Sequence, residues 1–188
     1  KPFCPLAVRR ALLLDRPALL VSTRTEQGPI RTLAFRADDG LCLPWNGVLM
    51  ERLLYVKELD SVCGSATDDS VKGVVCWRAR TGEEVWRTPR EEISNWSMPL
   101  VVEHGGRRQV VVSAPTKTRG YDYDSGLLIW EAAGLGPNSI PAPVQLGDLV
   151  FAMSGFRNPK LMAIRVGRTG DLTGTDSVVW STTRGTSY

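Results

Sequence analysis

One histidine, four cysteines and a few loop carboxylates are the residues of this chain with the chemistry for catalysis or metal binding. His104 would have to be the base of any Ser-His-Asp arrangement. It stands in Glu103-His104-Gly105-Gly106, where the paired glycines predict a hairpin tip. Such a tip supplies no buried carboxylate to orient an imidazole, so no catalytic role is expected for His104. Cys4, Cys42, Cys63 and Cys76 are separated by 37, 20 and 12 residues. None forms a Cys-x-x-Cys pair, which excludes zinc ribbons and thioredoxin-type redox motifs. Four cysteines permit three disulfide pairings, and spacing does not choose among them. Their expected role is that of small residues buried in strands. Asp68-Asp69, and Asp171 with Asp176, offer oxygen ligands without EF-hand spacing. The run Gly167 to Gly174 is glycine-rich but lacks the Gly-Lys-Ser/Thr end of a phosphate loop. Trp77, Trp96 and Tyr121 have rings that could stack on a ligand, but their apolar surroundings predict core packing. No catalytic, cofactor-binding or metal-binding residue is assigned from these patterns.

The elements that must position these residues are repetitive. Leu33 to Gly40, Val75 to Gly82, Gly120 to Gly126 and Ala163 to Gly170 are four similar stretches, each ending in glycine. The glycines Gly40, Gly82, Gly126 and Gly170 lie 42, 44 and 44 residues apart. Each is followed by a tryptophan: Trp45, Trp86, Trp130 and Trp180. A period in the low forties is the length of one four-stranded propeller blade. The Gly-to-Trp spacing is 4 in the two middle copies, 5 in the first and 10 in the last, where Asp171 to Asp176 is inserted. Asp171, Thr173 and Asp176 are therefore the candidate binding loop, against the plainer reading of a surface elongation.

The best-defined copy begins at about Ser94. Met98 to Val102, Gln109 to Ser113, Gly120 to Asp124 and Leu127 to Trp130 read as four strands joined by tight turns. The next copy keeps the frame, with Pro143 lying 44 residues after Pro99. Leu149 to Met153 and Leu161 to Val166 are its second and third strands. Upstream, Leu53 to Val56 and Gly73 to Trp77 are strands of an earlier unit, with Ser65 through Ser70 as a polar loop. Ala18 to Ser22 and Ile30 to Phe35 serve one unit more. The segment Val8 to Leu14 fits a short helix as well as a strand. The whole chain, 1–188, is read as a single repeat array with approximate blades at 5–46, 47–93, 94–134 and 135–184, and with 185–188 as the start of a further one. Consecutive blades are expected to dock through Gly40 with Trp45, Gly82 with Trp86, Gly126 with Trp130 and Gly170 with Trp180. An outer-strand indole can cover the neighbouring blade's turn and find an acceptor for its N–H there.

Composition agrees with a folded all-β chain. Gly 18 and Pro 12 together make about one residue in six, which suits many turns without reaching low complexity. Basic residues number 23 and acidic residues 20, a net charge of +3. That balance does not predict nucleic-acid or anionic-membrane partners. The apolar stretch from Ala11 to Val21 is broken by Asp15 and Arg16, so no membrane span is expected. The first residue is Lys1, which suggests a processed or cropped piece of something longer.

Ala79-Arg80-Thr81-Gly82-Glu83-Glu84-Val85-Trp86 and Tyr123-Asp124-Ser125-Gly126-Leu127-Leu128-Ile129-Trp130 resemble the repeat of pyrroloquinoline-quinone-type propellers. That group includes quinoprotein alcohol dehydrogenases and BamB-like outer-membrane assembly lipoproteins. The resemblance runs from about Val74 to Tyr188. It implies an all-β propeller of seven or eight four-stranded antiparallel blades, of which this length permits about four. It also implies a periplasmic, secreted or cell-surface bacterial address. Quinone-dependent members hold their cofactor beneath an adjacent cysteine pair and beside a calcium ion, and no two cysteines adjoin here. The expected function is accordingly a non-catalytic scaffold or binding module for protein or polymer. Recognition is expected near Trp96, Asn158 and the Asp171–Asp176 insertion. Remaining blades or a second copy would complete the ring. The alternative is a piece of a dehydrogenase dependent on pyrroloquinoline quinone and calcium whose catalytic residues lie elsewhere. A WD-type propeller fits less well because a Thr-Gly turn precedes the tryptophan.

Overall fold

The computed structural model of this chain is all-β. It describes the strand backbones from Cys4 onward and, with side chains, residues 63–65, 73–78, 81–92, 97–155 and 158–183. Gly40, Trp45, Asp68, Asp69 and Trp96 lie outside the described residues. The first sheet holds β1 (Cys4–Leu13), β2 (Arg16–Arg24), β3 (Arg31–Arg36) and β4 (Cys42–Leu43). The second holds β5 (Arg52–Val56), β6 (Ser61–Ala66), β7 (Gly73–Arg78) and β8 (Glu84–Pro89). The third is built from β9 (Leu100–His104), β10 (Arg107–Val112), β11 (Lys117–Asp122) and β12 (Leu128–Ala133). The fourth has β13 (Val144–Leu146), β14 (Leu149–Ser154), β15 (Lys160–Arg165) and β17 (Val178–Thr182). Between its last two strands, β16 (Gly170–Asp171) leaves to join the third sheet beside β12. Among the described residues every pair within a meander is antiparallel, and only the β12–β16 pair is parallel.

Turn chemistry accounts for the meanders. His104 pairs with Arg107 across Gly105 and Gly106, which have φ of +57° and +73°. Two left-handed residues in a two-residue loop match the twist of the flanking strands. Pro99 and Pro143 each stand directly before the first strand of their sheet, where a missing N–H breaks no ladder bond. The hairpins between the third and fourth strands share one closure. Gly82 N donates to Arg78 O and Arg78 N to Glu83 O, both at 2.8 Å. Gly126 N donates to Asp122 O at 2.9 Å and Asp122 N to Leu127 O at 2.8 Å. In the fourth sheet the corresponding bond runs from Arg165 N to Ser177 O at 2.7 Å, spanning twelve positions where the others span five. The extra residues of this turn contain β16.

The core lies between sheets. One face of the third sheet, with Val110, Val112, Tyr121 and Tyr123, packs on Cys63, Val74, Cys76 and Trp86 of the second. Its other face, with Val102, Val111, Trp130 and Ala132, packs on Val150, Ala152, Met162 and Ile164 of the fourth. The alternation of strand side chains lets a single sheet feed both layers.

One open alternative is resolved and two expectations need correcting. Val8 to Leu13 is strand, not helix, because the segment pairs with β2 in a register running from Cys4↔Arg24 to Leu13↔Arg16. So short a helix would have little stability of its own. Ser65 and Ala66 close β6 rather than open a loop. The small residues of Ser61–Ala66 conceal a strand, since β6 pairs along both edges, with β5 and β7. Finally, Cys63 and Cys76 are buried but not as free thiols. They face each other across β6 and β7 and form a disulfide, with Cα atoms 4.1 Å apart.

Candidate functional site

The junctions between sheets gather most of the polar and aromatic side chains singled out by the sequence. Where the second sheet meets the third, the Trp86 indole lies over the Asp122–Leu127 turn. A Cβ built on Gly126 would come within 2.5 Å of the Trp86 ring, so only glycine lets the indole approach this closely. Trp86 Nε1–H donates to the Tyr123 carbonyl at 2.8 Å, and Thr88 Oγ1 donates to the Gly126 carbonyl at 2.5 Å. Gly82 belongs to the matching turn of the second sheet, with φ of +70°.

Trp130 is placed differently. It is fully buried between the third and fourth sheets, and its Nε1–H donates to Gln109 Oε1 at 2.7 Å. Its ring crosses Gly120, where an added Cβ would meet Nε1 at 2.3 Å. Gly170 is paired through its backbone with Trp130, yet a Cβ added there would meet nothing within 4 Å. The structure therefore does not bring Gly170 under an indole as Gly126 is brought under Trp86. Trp180 is 41% exposed and tilts against Phe151 with centroids 5.9 Å apart.

The Asp171–Asp176 insertion bridges the third and fourth sheets. Leu172 N donates to the Glu131 carbonyl at 2.8 Å, Ala133 N donates to Thr173 Oγ1 at 2.9 Å, and the Leu172 side chain is buried in the core. Thr173 N caps Asp171 Oδ1 at 2.9 Å. Asp176 is exposed. The insertion thus straps two sheets together, with Asp171 and Thr173 already engaged. His104, at its hairpin, lies against Gly167, where a Cβ would meet Nε2 at 2.5 Å. Asn158 is exposed and holds a φ of +88°.

A chain of ion pairs crosses the same end of the third sheet. Lys117 Nζ reaches Glu131 Oε1 at 2.5 Å and Asp171 Oδ2 at 3.0 Å. Arg119 Nε donates to Glu131 Oε2 at 3.1 Å, and its Nη1 donates to Glu92. Glu92 also accepts from the amide and hydroxyl of Thr116, and its side chain is wholly buried. The Lys117 ammonium holds Glu131 below the usual carboxylate range, with Arg119 adding to the effect. The Thr173 hydroxyl and amide, then Lys117, bring Asp171 from 3.8 to about 2. Both carboxyls have depressed folded-state values. Their contribution is present above the unfolded carboxylate range and is lost as pH falls through the folded values. Stability is therefore expected to decline between about pH 4 and pH 2, with Glu131→Gln flattening that slope. Denaturant midpoints recorded across this window check it, and equal slopes in wild type and variant would refute it.

Among the described residues no three His, Cys, Asp or Glu side chains are grouped to hold a metal. The Cys63–Cys76 bond lies inside one sheet between residues 13 apart, so it is not the adjacent pair that quinone dehydrogenases place over their cofactor. Sequence patterns could not foretell Glu92 or Gln109, because each owes its role to a partner on another strand.

No protein-family model and no curated protein matches this sequence. Solved structures do match. BamB from Moraxella catarrhalis superposes with a TM-score of 0.60 at 17% identity, over 87% of this chain and 45% of that one. The dihydro-heme d1 dehydrogenase NirN in complex with DHE does so at 0.68 and 12%, over 98% and 38%. The computationally designed Ika8 protein gives 0.53 and 12%, over 89% and 47%. This chain spans less than half the length of each. Its fold is that of a BamB-like β-propeller.

Proposed function

We propose that this chain is an arc of about four blades from a seven- or eight-bladed propeller, acting as a scaffold or binding module for protein or polymer. The observation that carries this reading is the use of polar side chains at the sheet junctions. Glu92 ties the connection after β8 to Arg119 of β11, and Asp171 ties the long turn of the fourth sheet to Lys117, while Glu131 bonds both cations within the third sheet. Such an arrangement suits rigidity, on which exposed loops can present a recognition surface. The likeness to BamB supports an extracytoplasmic, periplasmic or cell-surface address, as does the disulfide, because such bonds persist in oxidising compartments.

The arc ends on an apolar face. Val144, Leu146 and Trp180 are exposed on the fourth sheet, with Phe151 half-buried among them. A further blade, or a second copy, would cover this face as the third sheet covers the second. Trp180 would then donate its N–H to a glycine-turn carbonyl, as Trp86 does to Tyr123. Iodide quenching of Trp180 fluorescence is expected to fall severalfold in a chain carrying a following blade; unchanged quenching would refute ring extension through this residue.

The rival reading is a dehydrogenase fragment, favoured by the NirN likeness over nearly the whole chain. Reconstitution of the full-length protein with pyrroloquinoline quinone and calcium separates the two. The scaffold reading expects no quinone-dependent dye reduction with alcohols or sugars and no cofactor requirement. Turnover dependent on both additions would establish the enzyme.

A further inference from the structure

Arg90 follows β8 in the connection to the third sheet and is only 6% exposed. Its Nε, Nη1 and Nη2 have no hydrogen-bond partner, and neither does the hydroxyl of Tyr121, itself 1% exposed. Orphaned buried donors are rare because each forfeits the bonds it made in water. A guanidinium is the extreme case, with five N–H groups and a charge that burial disfavours. The acids near Arg90 and Tyr121 are committed elsewhere. Glu92 is bonded to Arg119 and Thr116, and Glu131 to Lys117 and Arg119. Burial holds the Arg90 pKa below its ordinary value despite the neighbouring Glu92, and burial raises that of Tyr121. The junction therefore brings together a forked cation and a phenol, both enclosed, with no acceptor for either.

We infer that Arg90, assisted by the Tyr121 hydroxyl, binds a small oxyanion of the carboxylate or phosphate class at the junction of the second and third sheets. The planar fork of a guanidinium matches two oxygens of such an ion, and the phenol adds a third donor. Donors so enclosed are out of reach of a side chain carried by a macromolecular partner, whereas a small ion needs only a local opening of the connection after β8. An ion held here would join the connection after β8 to strand β11, so its binding would tighten the joint between consecutive sheets.

The test follows the Arg90 Nε–H resonance in the intact 15N-labelled protein. Sodium acetate and sodium phosphate are titrated separately, with sodium chloride as the matched ionic-strength control. A saturable shift with acetate identifies a carboxylate ligand, one with phosphate identifies a phosphate ligand, and the same anion should raise Tm. Arg90→Lys keeps the charge without the fork and should weaken binding about tenfold or more. Tyr121→Phe should weaken it about threefold to tenfold. Arg90→Met should abolish the anion-dependent part of Tm. The inference is overturned if neither oxyanion gives a saturable shift, if chloride reproduces the shift, or if Arg90→Met retains the gain in Tm. Should Arg90→Met fail to fold, the wild-type and Tyr121→Phe titrations decide alone.

Discussion

Replacing Trp130 with alanine is expected to cost about 3–5 kcal/mol, the range for large buried aromatics. The indole is fully enclosed between the third and fourth sheets, where it touches a cluster containing Val150, Met162 and Ile164. Its removal opens a cavity walled by two sheets that are each held by their own ladders, so collapse around the gap is limited. It also strips the buried Gln109 amide of its Trp130 N–H donor, a loss that adds about 1–3 kcal/mol when no replacement forms. Trp130→Phe helps to separate the two effects, because it loses the N–H while keeping much of the ring volume. Urea denaturation should rank alanine well below phenylalanine, with wild type on top. An alanine variant within about 1 kcal/mol of wild type would show that this indole does not hold the two sheets together. Trp86→Ala should cost less, since its ring covers a surface turn and its N–H bonds a main-chain carbonyl.

The contrast between Trp86 and Trp130 shows how far the sequence could be read. A glycine turn and a tryptophan at steady spacing marked the outer hairpins, and Trp86 over Gly126 is the physical meaning of that pattern. The same spacing gave no sign that Trp130 would turn inward onto Gly120 and Gln109. That choice depends on which neighbouring strand offers a position without a side chain. Gly170 kept the beat in sequence but stands in β16, because the longer turn of the fourth sheet let it cross to β12. The insertion itself was visible as an irregular interval. Its use as a strap was not, since it rests on backbone bonds to Glu131 and Ala133 from residues about 40 positions away. Strand β6 was missed for a different reason. Ser61 to Ala66 is built largely of small residues that hydrophobic periodicity does not weigh.

Removing the Cys63–Cys76 bond is expected to cost about 3 kcal/mol, the chain-entropy value for a loop of this length. The bond closes 13 positions between strands β6 and β7 and lies in the core between the second and third sheets. Alanine at both positions is the informative variant, because serine would leave two buried hydroxyls in need of partners. Wild-type protein under strong reductant should approach the stability of Cys63→Ala/Cys76→Ala, and reductant should leave the variant unchanged. Thiol titration of the denatured, unreduced protein should find at most two of the four cysteines free. Finding all four free would remove the disulfide and, with it, the physical argument for an oxidising compartment. A pair fixed on adjacent strands also sets register, since a slip of one residue would send the two sulfurs to opposite faces of the sheet. The reduced protein should accordingly lose hydrogen-exchange protection first along β6 and β7, ahead of the third sheet, which Trp130 and the β16 strap hold from the other side.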